Sequence, residues 1–435
     1  MESGLTRERG SILDRPLAGL FSLNWEMGLY VAIFAVSLVL RFWDLGTRVL
    51  HHDESIHAVW SYYIYIGKGY KHDPVYHGPF LYYATALSYM LIGAADYAVR
   101  LAPAIFGTVM VGLPYLLRQQ LGRIGALATA AFIAFSPSIV YYSRSLRHDI
   151  FAATATFLLV VCLWRYSEDR QTKWLLWAAV ALVLGFTTHE LTYITVAILG
   201  FYLALFTLPE IIRHLVKGRL ADVSPMASFL LVVGTISLPL FTAGMLMPLE
   251  KLGIATTGPN ADLALWVVFL LLLVVSVALG LTWNPRVWIA AAVIFWSIFI
   301  VFYTSIFSNP EGFGSGAIGA LRYWITQHGF ARGNQPQYYY ALMLPIYEFL
   351  PLVFALAGTV YAFLRRERFA LFLVYWSVTS FIAFSIAGEK MPWLLIHITL
   401  PLAVLAGRFI DRFVSAINWR ELWQRGGAYL AAGLV

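Results

Sequence analysis

Hydrophobic and polar positions follow one another along this chain in long blocks. Apolar stretches near the ~20 residues needed to cross ~30 Å of hydrocarbon recur from residue 26 to residue 410, separated by short polar segments. Backbone amides in lipid must be satisfied within the segment, so stretches of that length can only be helices. The pattern predicts an all-α, polytopic integral membrane protein with about 12 transmembrane helices. The predicted spans are 26–43, 101–118, 124–142, 150–166, 174–188, 191–208, 227–247, 262–282, 287–306, 341–363, 369–387 and 392–410.

Composition excludes an ordinary soluble domain. Hydrophobic residues make up 60% of the 435 residues and charged residues 12%, whereas a soluble domain carries about 25% charge. The segment before the first span is polar and has no short apolar core ahead of a small-residue cleavage site. We therefore interpret it as a cytoplasmic tail and not as a signal peptide.

The distribution of Lys and Arg predicts the orientation. With the N-terminus inside, the predicted cytoplasmic segments hold 19 of the 30 Lys and Arg residues, as expected for inner loops. The net charge of +7 is spread between apolar segments and forms no single basic patch, so we expect no nucleic-acid partner. The predicted organisation is a cytoplasmic tail (1–25), a transmembrane domain (26–410) with outer loops at 44–100 and 307–340, and a cytoplasmic segment (411–435) that starts a further, truncated helix.

Histidine is unevenly divided between the two predicted faces. Nine of the ten histidines fall on the outer side, and only His214 falls inside. Loop sorting acts on Lys and Arg and not on neutral imidazole, so it does not explain this bias. A one-sided set of groups able to titrate, ligate or hydrogen-bond indicates a site at the outer membrane boundary. The outer histidines are His51, His52, His57, His72, His77, His148, His189, His328 and His397.

The first outer loop opens with an adjacent acidic pair, Asp53 and Glu54, among histidines. Such a pair near lipid is costly without a function or a cationic partner. We hypothesise that one carboxylate is a general base towards an acceptor hydroxyl; a solvated loop carboxylate is the alternative. The loop imidazoles would also suit a divalent metal, with His51, His72 and His77 as candidate ligands, although their spacing fits no zinc pattern. The aromatic stretches 60–65 and 80–89 are predicted to lie along the interface.

Two further polar clusters fall on the same predicted face. Arg144 and Arg147 precede Asp149 where outer positive charge is disfavoured, which indicates either an anionic partner such as phosphate or pairing with Asp149. His189 and Glu190 add an imidazole–carboxylate pair between the next two spans. Later, a Gln-Pro-x-Tyr-Tyr-Tyr segment contains Tyr339, and Lys390 is the only Lys or Arg in its outer turn, so it needs an anionic neighbour or ligand.

The order of these motifs resembles the glycosyltransferase C superfamily. The shared order is a span, a long outer loop opening with Asp-Glu, an Arg-containing turn ending in Asp, a Gln-Pro-x-Tyr-Tyr-Tyr segment, and a late Lys followed by Leu-Pro. The resemblance is to the branch of dolichyl-phosphate-mannose protein mannosyltransferases and aminoarabinose lipid A transferases. The strings HHDESIHA and GEKMPW are most similar to the prokaryotic flippase-activity-associated group.

This resemblance implies a hexosyltransferase-like enzyme of the prokaryotic plasma membrane, with its active site extracytoplasmic. A sugar would move from a polyprenyl-phosphate donor to an acceptor hydroxyl on a protein, lipid or glycan, with inversion. It implies catalytic roles for Asp53, Glu54 and Asp149, and binding of the donor phosphate by Lys390, with Arg144 as a neighbouring cation. We place Arg147 among the residues that bind the donor phosphate. The substrate-binding candidates are His52, His57, His189, Glu190 and Tyr339. No cofactor follows with certainty from the sequence, and a divalent metal is the one candidate.

Two other functions remain open from the sequence. A flippase or transporter for lipid-linked sugars would show internal repeats, broken helices and polar groups near the bilayer midplane. The polar groups here crowd one face and no repeat is visible, which favours the enzyme. A non-catalytic partner in a glycosylation complex is the third reading, and it predicts that Asp53 and Lys390 are freely replaceable.

Overall fold

A computed structural model describes residues 16–18, 21–245, 261–327, 333–419 and 421. His328 and the predicted final helix near residue 430 lie outside the described residues. Apart from an antiparallel pair of short strands, β1 (Pro16–Ala18) and β2 (Phe21–Asn24), the described chain consists of helices and connecting loops. The predicted all-α polytopic class is confirmed.

The α-helices, numbered in chain order, are α1 (Trp25–Phe42), α2 (His52–Tyr65), α3 (Phe80–Ile92), α4 (Asp96–Gly112), α5 (Arg118–Leu121), α6 (Arg123–Phe135), α7 (Pro137–Ser143), α8 (Asp149–Asp169), α9 (Lys173–Phe186), α10 (Leu191–Val216), α11 (Pro225–Ser237), α12 (Ala261–Trp283), α13 (Pro285–Tyr303), α14 (Gly312–Gly314), α15 (Ala320–Gln327), α16 (Tyr339–Tyr347), α17 (Phe349–Arg365), α18 (Arg368–Ile386) and α19 (Leu395–Ala416). Short 3₁₀ turns at Pro74–Tyr76, Leu113–Leu117, Leu220–Asp222, Leu238–Phe241 and Pro392–Leu394, and a π turn at Ser315–Gly319, connect some of them.

Length and composition mark this as a multi-pass membrane protein. Within the described residues, nine helices are long and apolar enough to cross a bilayer, and two bent helix pairs raise the number to 11. The remaining predicted span, 174–188, corresponds to α9, which has only 14 residues. Twelve spans therefore stay a prediction.

Helix boundaries follow local capping chemistry. The Asn24 side chain accepts a hydrogen bond from the Met27 amide at 2.9 Å and begins α1. Asn284 caps α13 in the same way, with Pro285 at its first position. α12 ends at Trp283, and α13 begins two residues later at Pro285. The predicted hairpin over 262–306 is present.

Both bent pairs contain breaks that contact each other. The chain turns by 58° between α6 and α7 at Ser136, and by 109° between α16 and α17 at Glu348. The buried Glu348 carboxylate accepts hydrogen bonds from Ser136 Oγ at 2.7 Å and from the Ser138 amide at 3.1 Å. Each of the predicted spans 124–142 and 341–363 is therefore divided into two helices. Pro137 has no amide hydrogen to continue the helix, and the donors freed at the break bind Glu348.

Charged groups from the predicted inner loops meet at one end of the bundle. Glu26, in the first turn of α1, pairs with Arg123 at 2.6 Å and with Arg118 at 3.6 Å. Arg408 pairs with Glu367 at the start of α18. The 18 residues of α1 separate Glu26 from the first outer loop by about 27 Å at 1.5 Å per residue. The predicted outer clusters lie at that far end.

Candidate active site

An ion-paired triad of Asp53, Arg147 and Asp149 forms the centre of the site. Arg147 Nη1 lies 2.5 Å from Asp53 Oδ2, and Arg147 Nε lies 3.5 Å from Asp149 Oδ2. The Asp53 side chain is about one third exposed, whereas that of Asp149 is 1% exposed. One guanidinium therefore joins the first outer loop to the start of α8, with a solvent-facing carboxylate on one side and a buried carboxylate on the other.

The buried carboxylate of Asp149 also faces His397. Asp149 Oδ1 and His397 Nε2 are 3.7 Å apart, and within the described residues neither atom has a hydrogen-bond partner. Buried polar atoms in native proteins are rarely left unsatisfied unless water or a ligand completes them. The two atoms therefore face each other in a buried site, at a distance slightly too long for a normal hydrogen bond.

Glu54 anchors the loop. Its oxygens accept hydrogen bonds from Arg100 Nε at 3.0 Å and from the amides of His51 at 3.0 Å and Leu146 at 2.9 Å, and Arg48 adds an ion pair at 3.2 Å. Burial alone would raise the pKa of Glu54, but the hydrogen bonds from Arg100 and the two amides lower it below its ordinary value. With its oxygens engaged this way, Glu54 is not arranged for the predicted catalytic role.

Arg144 is likewise committed to structure. Its Nη1 donates to the carbonyl of Leu40 at 2.8 Å, and its Nη2 donates to the carbonyl of Asp44 at 3.2 Å. Carbonyls at a helix C-terminus lack helical partners and carry partial negative charge. Arg144 therefore caps the end of α1, and the geometry does not support the predicted phosphate contact. Arg147, three residues later, is the arginine of the site.

Trp393 stacks on Arg147 and lines two cavities. The Arg147 guanidinium carbon lies 3.4 Å from the centroid of the Trp393 ring. The first is a cavity of about 150 Å³, here the arginine cavity, whose wall includes Arg48, Arg147 and Trp393. It shares Tyr141, Tyr142 and Pro392 with a mostly apolar groove of about 320 Å³, here the apolar groove, lined by those residues and by Pro137, Ser138, Met343, Tyr347 and Leu395.

The second cavity also has Trp393 in its wall and contains the histidines of the site. This histidine cavity, of about 230 Å³, is lined by His77, His189, Glu190, Trp324, Glu389 and Trp393 together with apolar residues of α10, α15 and α18. Trp393 belongs to the walls of both cavities. The two cavities therefore share one wall residue, whose ring stacks on Arg147.

Lys390 is a buried lysine that forms no ion pair with a carboxylate among the described side chains. It is 7% exposed, and its Nζ donates to the carbonyl of Ala387 at 2.9 Å, just after α18. Within the described residues no acidic side chain forms an ion pair with it. Its neighbours Glu389 and Trp393 line the histidine cavity. Tyr340 holds this turn, because its hydroxyl donates to the Met391 carbonyl at 3.0 Å; Tyr339 packs on Tyr340.

His77, His189 and Glu190 form a compact cluster at the wall of the histidine cavity. His77 Nδ1 lies 2.7 Å from Glu190 Oε2, and His189 Nδ1 lies 3.3 Å from the same oxygen. Burial acts to raise the pKa of Glu190, but the charge and hydrogen bonds of these imidazoles lower it below its ordinary value. Burial, reinforced by the charge of His77, lowers the pKa of His189 to about 4.

Two more histidines extend this cluster towards the triad. The His148 ring lies 4.9 Å from that of His57 and 5.1 Å from that of His77. His57 Nδ1 is 3.0 Å from the Tyr82 hydroxyl. Burial lowers the pKa of His57 and His148 well below the ordinary value, and nearby positive charges lower it further. Both imidazoles are therefore neutral hydrogen-bonding groups at the site.

The predicted metal-ligand set of His51, His72 and His77 is not assembled. His51 caps α2, accepting from the Asp53 amide at 3.3 Å, and His72 Nδ1 lies 2.7 Å from Ser315 Oγ. His52 is exposed beside them. Only His77 joins a group with ligand spacing, and its partners are His189 and Glu190. Loop residues that are close in sequence point in different directions once α2 forms.

Several site residues were not identified from the sequence. Trp393 carried no signal beyond its place in the late Gly-Glu-Lys-Met-Pro-Trp string, and Trp324 carried none. Arg48 and Arg100 are outer-loop arginines, so the argument applied to Arg144 and Arg147 would have found them. His148 and His397 were noted only as members of the outer histidine set.

Comparison with known proteins agrees with this fold. Residues 76–238, more than a third of the chain, match the family model for dolichyl-phosphate-mannose-protein mannosyltransferase. No curated protein matches the sequence. Because that match spans less than half of the chain, solved structures supply the wider comparison.

Two solved proteins share the fold over nearly the whole chain. ArnT from Cupriavidus metallidurans in the apo state is 20% identical with a TM-score of 0.58, covering 93% of this chain and 63% of ArnT. The same ArnT bound to undecaprenyl phosphate is 21% identical, with a TM-score of 0.59 over 93% of this chain and 64% of ArnT. The Archaeoglobus fulgidus oligosaccharyltransferase in its apo form is 17% identical, with a TM-score of 0.56 over 92% of this chain and 52% of that protein.

These similarities confirm the predicted resemblance. The protein is a multi-pass membrane protein that shares the fold of ArnT and of the archaeal oligosaccharyltransferase, and part of the chain matches the mannosyltransferase family model. The chain spans less than two thirds of the length of these solved relatives.

Proposed function

We propose that the protein is a membrane glycosyltransferase that moves a sugar from a polyprenyl phosphate to an acceptor hydroxyl outside the membrane. The observation that carries this proposal is the Asp53–Arg147–Asp149 triad, located where Trp393 lines two cavities. A transfer reaction needs two substrates that meet at one reactive group. Asp53 is paired with Arg147, which lines the arginine cavity, and Trp393 on Arg147 lines both cavities, which suits that requirement.

The donor is assigned to the arginine cavity and the apolar groove. Arg48 and Arg147 would bind a phosphate, because guanidinium groups pair well with phosphate oxygens. The apolar groove continues from that cavity through Tyr141, Tyr142 and Pro392 and would receive the first part of the polyprenyl chain. The solved ArnT complex contains undecaprenyl phosphate, which supports a donor of this class here. Lys390 would add positive charge beside the leaving phosphate.

The acceptor is assigned to the histidine cavity, and Asp53 is the proposed base. The acceptor oxygen would attack the anomeric carbon opposite the phosphate, so that the new C–O bond forms as the sugar–phosphate bond breaks, with inversion. Asp53 would take the hydroxyl proton, and polyprenyl phosphate would leave with its charge stabilised by Arg147 and Lys390. Before substrate binds, the Arg147 guanidinium forms an ion pair with the Asp53 carboxylate. Transfer of Arg147 to the incoming phosphate would free the carboxylate as a base.

Asp53→Asn should lower glycosyl transfer by at least ~100-fold, because a general base contributes about 10²–10⁴-fold. The measurement is release of polyprenyl phosphate by purified protein from a panel of polyprenyl-phosphate sugars, with and without chelator. The matched control is Asp96→Asn, an exposed carboxylate at the end of the same loop. Turnover that survives Asp53→Asn with an unchanged melting temperature would remove Asp53 from the role of base.

A lipid-linked-sugar flippase is the second candidate, favoured by one observation. Broken helices are common in transporters, and the breaks at Ser136 and Glu348 meet at a buried carboxylate. Liposome reconstitution separates the two functions. Movement of a lipid-linked sugar across the bilayer without release of lipid phosphate, unaffected by Asp53→Asn, would favour the flippase.

A further inference from the structure

Three potential ligand atoms converge at the wall of the histidine cavity. One nitrogen each from His77 and His189 and one oxygen from Glu190 all lie within 4.8 Å of one another. The side chains are 14%, 8% and 8% exposed, so the group is almost withdrawn from solvent. Ligands bonded to zinc at 2.0–2.2 Å in a tetrahedron are separated by about 3.3 Å. The closest pairs here, at 2.7 Å and 3.3 Å, need only a small outward shift to accept an ion.

Backbone pairing fixes the two segments that supply these ligands. The Gly78 amide donates to the Thr188 carbonyl at 3.0 Å, and the Phe80 amide donates to the Thr187 carbonyl at 2.8 Å. A Cβ on Gly78 would lie 2.2 Å from the Thr187 oxygen, so only glycine permits this approach. The contact brings His77 beside a pair of ligands 112 and 113 positions further along the chain.

The local structure holds His77 in place on both sides. Its backbone has φ 63° and ψ −165°, a region that favours glycine and is costly for other residues. Its ring stacks on Trp324 with centroids 4.9 Å apart and planes inclined by 10°. The chain therefore carries a histidine at a position where glycine would adopt the same backbone conformation with less strain. The Trp324 ring fixes the orientation of the His77 imidazole.

Two ring nitrogens of the cluster face one carboxylate oxygen. Glu190 Oε2 lies 2.7 Å from His77 Nδ1 and 3.3 Å from His189 Nδ1. The Leu191 amide also donates to His189 Nδ1 at 3.3 Å. An ion bound between the imidazoles and the carboxylate would use the lone pairs of these atoms and replace the amide contact.

We propose that His77, His189 and Glu190 bind a divalent transition metal of the zinc type. Two imidazoles and one carboxylate favour such an ion over Mg²⁺, which prefers oxygen ligands and retains its water. Three protein ligands leave a fourth position open, as in zinc sites that act on a substrate. That position faces the histidine cavity, where it would contact a hydroxyl or carbonyl oxygen of a bound molecule.

This site is separate from the carboxylates of the triad, and its occupancy does not depend on the proposed transfer. It is tested by metal binding alone, with full-length protein purified without a histidine tag. After treatment with a chelator, Co²⁺ is titrated, its visible absorption is recorded, and bound metal is measured by mass spectrometry after gel filtration. We expect one Co²⁺ per chain, displaced by Zn²⁺ and not by Mg²⁺.

Variants assign the ion to these residues. His77→Gly removes the imidazole and suits the backbone conformation at this position. Each of the variants His77→Gly, His189→Ala and Glu190→Gln should weaken Co²⁺ binding by ~10-fold or more, by analogy with the loss of outer-shell partners. His214→Ala, a histidine at the opposite end of the bundle, should bind like wild type, and melting temperatures report folding. The proposal is overturned if wild-type protein binds no more Co²⁺ than the His77→Gly/His189→Ala variant, or if Asp53→Asn and Asp149→Asn abolish binding that those two substitutions leave intact.

Discussion

Arg147 and Lys390 supply the buried positive charge of the site, and they differ in how that charge is compensated. Arg147 is shared between two carboxylates and stacks on Trp393. Lys390 donates to one backbone carbonyl and has no acidic partner among the described side chains. A buried ammonium without a counter-ion is expensive. This imbalance makes Lys390 the residue most in need of an anionic ligand.

Lys390→Ala should therefore impair use of the lipid donor more than the chemical step. Hydrogen bonds to charged groups are worth about 1.5–3 kcal/mol, so the KM for the polyprenyl donor should rise by about 10- to 100-fold, with a smaller change in kcat. Lys71→Ala, in an exposed pair with Glu311, is the control and should leave both constants unchanged. An unaltered donor KM in Lys390→Ala would contradict the phosphate assignment.

Sequence reasoning at this scale identified residue types better than partners. Asp53, Arg147 and Asp149 were all predicted as site residues, and the structure joins them because α2 and α8 begin beside each other. The pairing of His77 with Glu190 could not be predicted, since it depends on the backbone contact at Gly78. Glu54 and Arg144 have the right chemistry, but their hydrogen bonds hold the loops and the end of α1.

Among the structural elements, the start of α2 determines the position of Asp53. His51 and Glu54 form a reciprocal capping box at this helix N-terminus. Glu54 also ties the helix to Arg100 in α4 and to the Leu146 amide before α8. The same carboxylate thus orients the turn that carries Asp53 and the segment that carries Arg147. Removal of the Glu54 carboxylate should lower the stability of the protein, and catalysis should fall as a consequence of that lower stability.

Glu54→Gln should destabilise the protein by about 3–5 kcal/mol, the usual effect of breaking a buried ion pair. The folded-state pKa of Glu54 is lowered, so its contribution is present above the unfolded-state pKa and is lost as pH falls through the folded value. The melting temperature of wild type should exceed that of Glu54→Gln near neutral pH, and the gap should narrow in acid.

Glu311→Gln is the matched control for that measurement. It breaks an exposed ion pair with Lys71, which is worth about 0–1 kcal/mol. Equal melting temperatures for Glu54→Gln and Glu311→Gln at neutral pH would show that the Glu54 network does not stabilise the loop.

Most of the elements could be predicted, because a membrane span has a length and composition that the sequence displays. The predicted hairpin over 262–306 is present as α12 and α13. Breaks inside spans were missed, because apolar residues continue across Ser136 and the donors that stabilise Glu348 lie over 200 positions away. The short helix α9 shows the same limit: an apolar run does not reveal where the helix ends.

For the whole molecule, the account depends on the separation of two polar ends. The Glu26–Arg123 and Arg408–Glu367 pairs mark one end of the bundle. The triad, the histidine cluster and the Lys71–Glu311 pair belong to the loops at the other. Loop charge predicts that the first end is cytoplasmic. The proposed donor headgroup and acceptor must then both lie on the opposite side of the membrane.

Sidedness of single cysteines tests this central claim most directly. The only cysteine, Cys162, is buried, so Cys162→Ser provides the background for exposed sites. His52→Cys and Glu311→Cys should react with an impermeant thiol reagent in intact cells, whereas Lys217→Cys and Arg366→Cys should react only after permeabilisation. Labelling of positions 52 and 311 from different sides of the membrane, or of 52 and 366 from the same side, would contradict a common outer site.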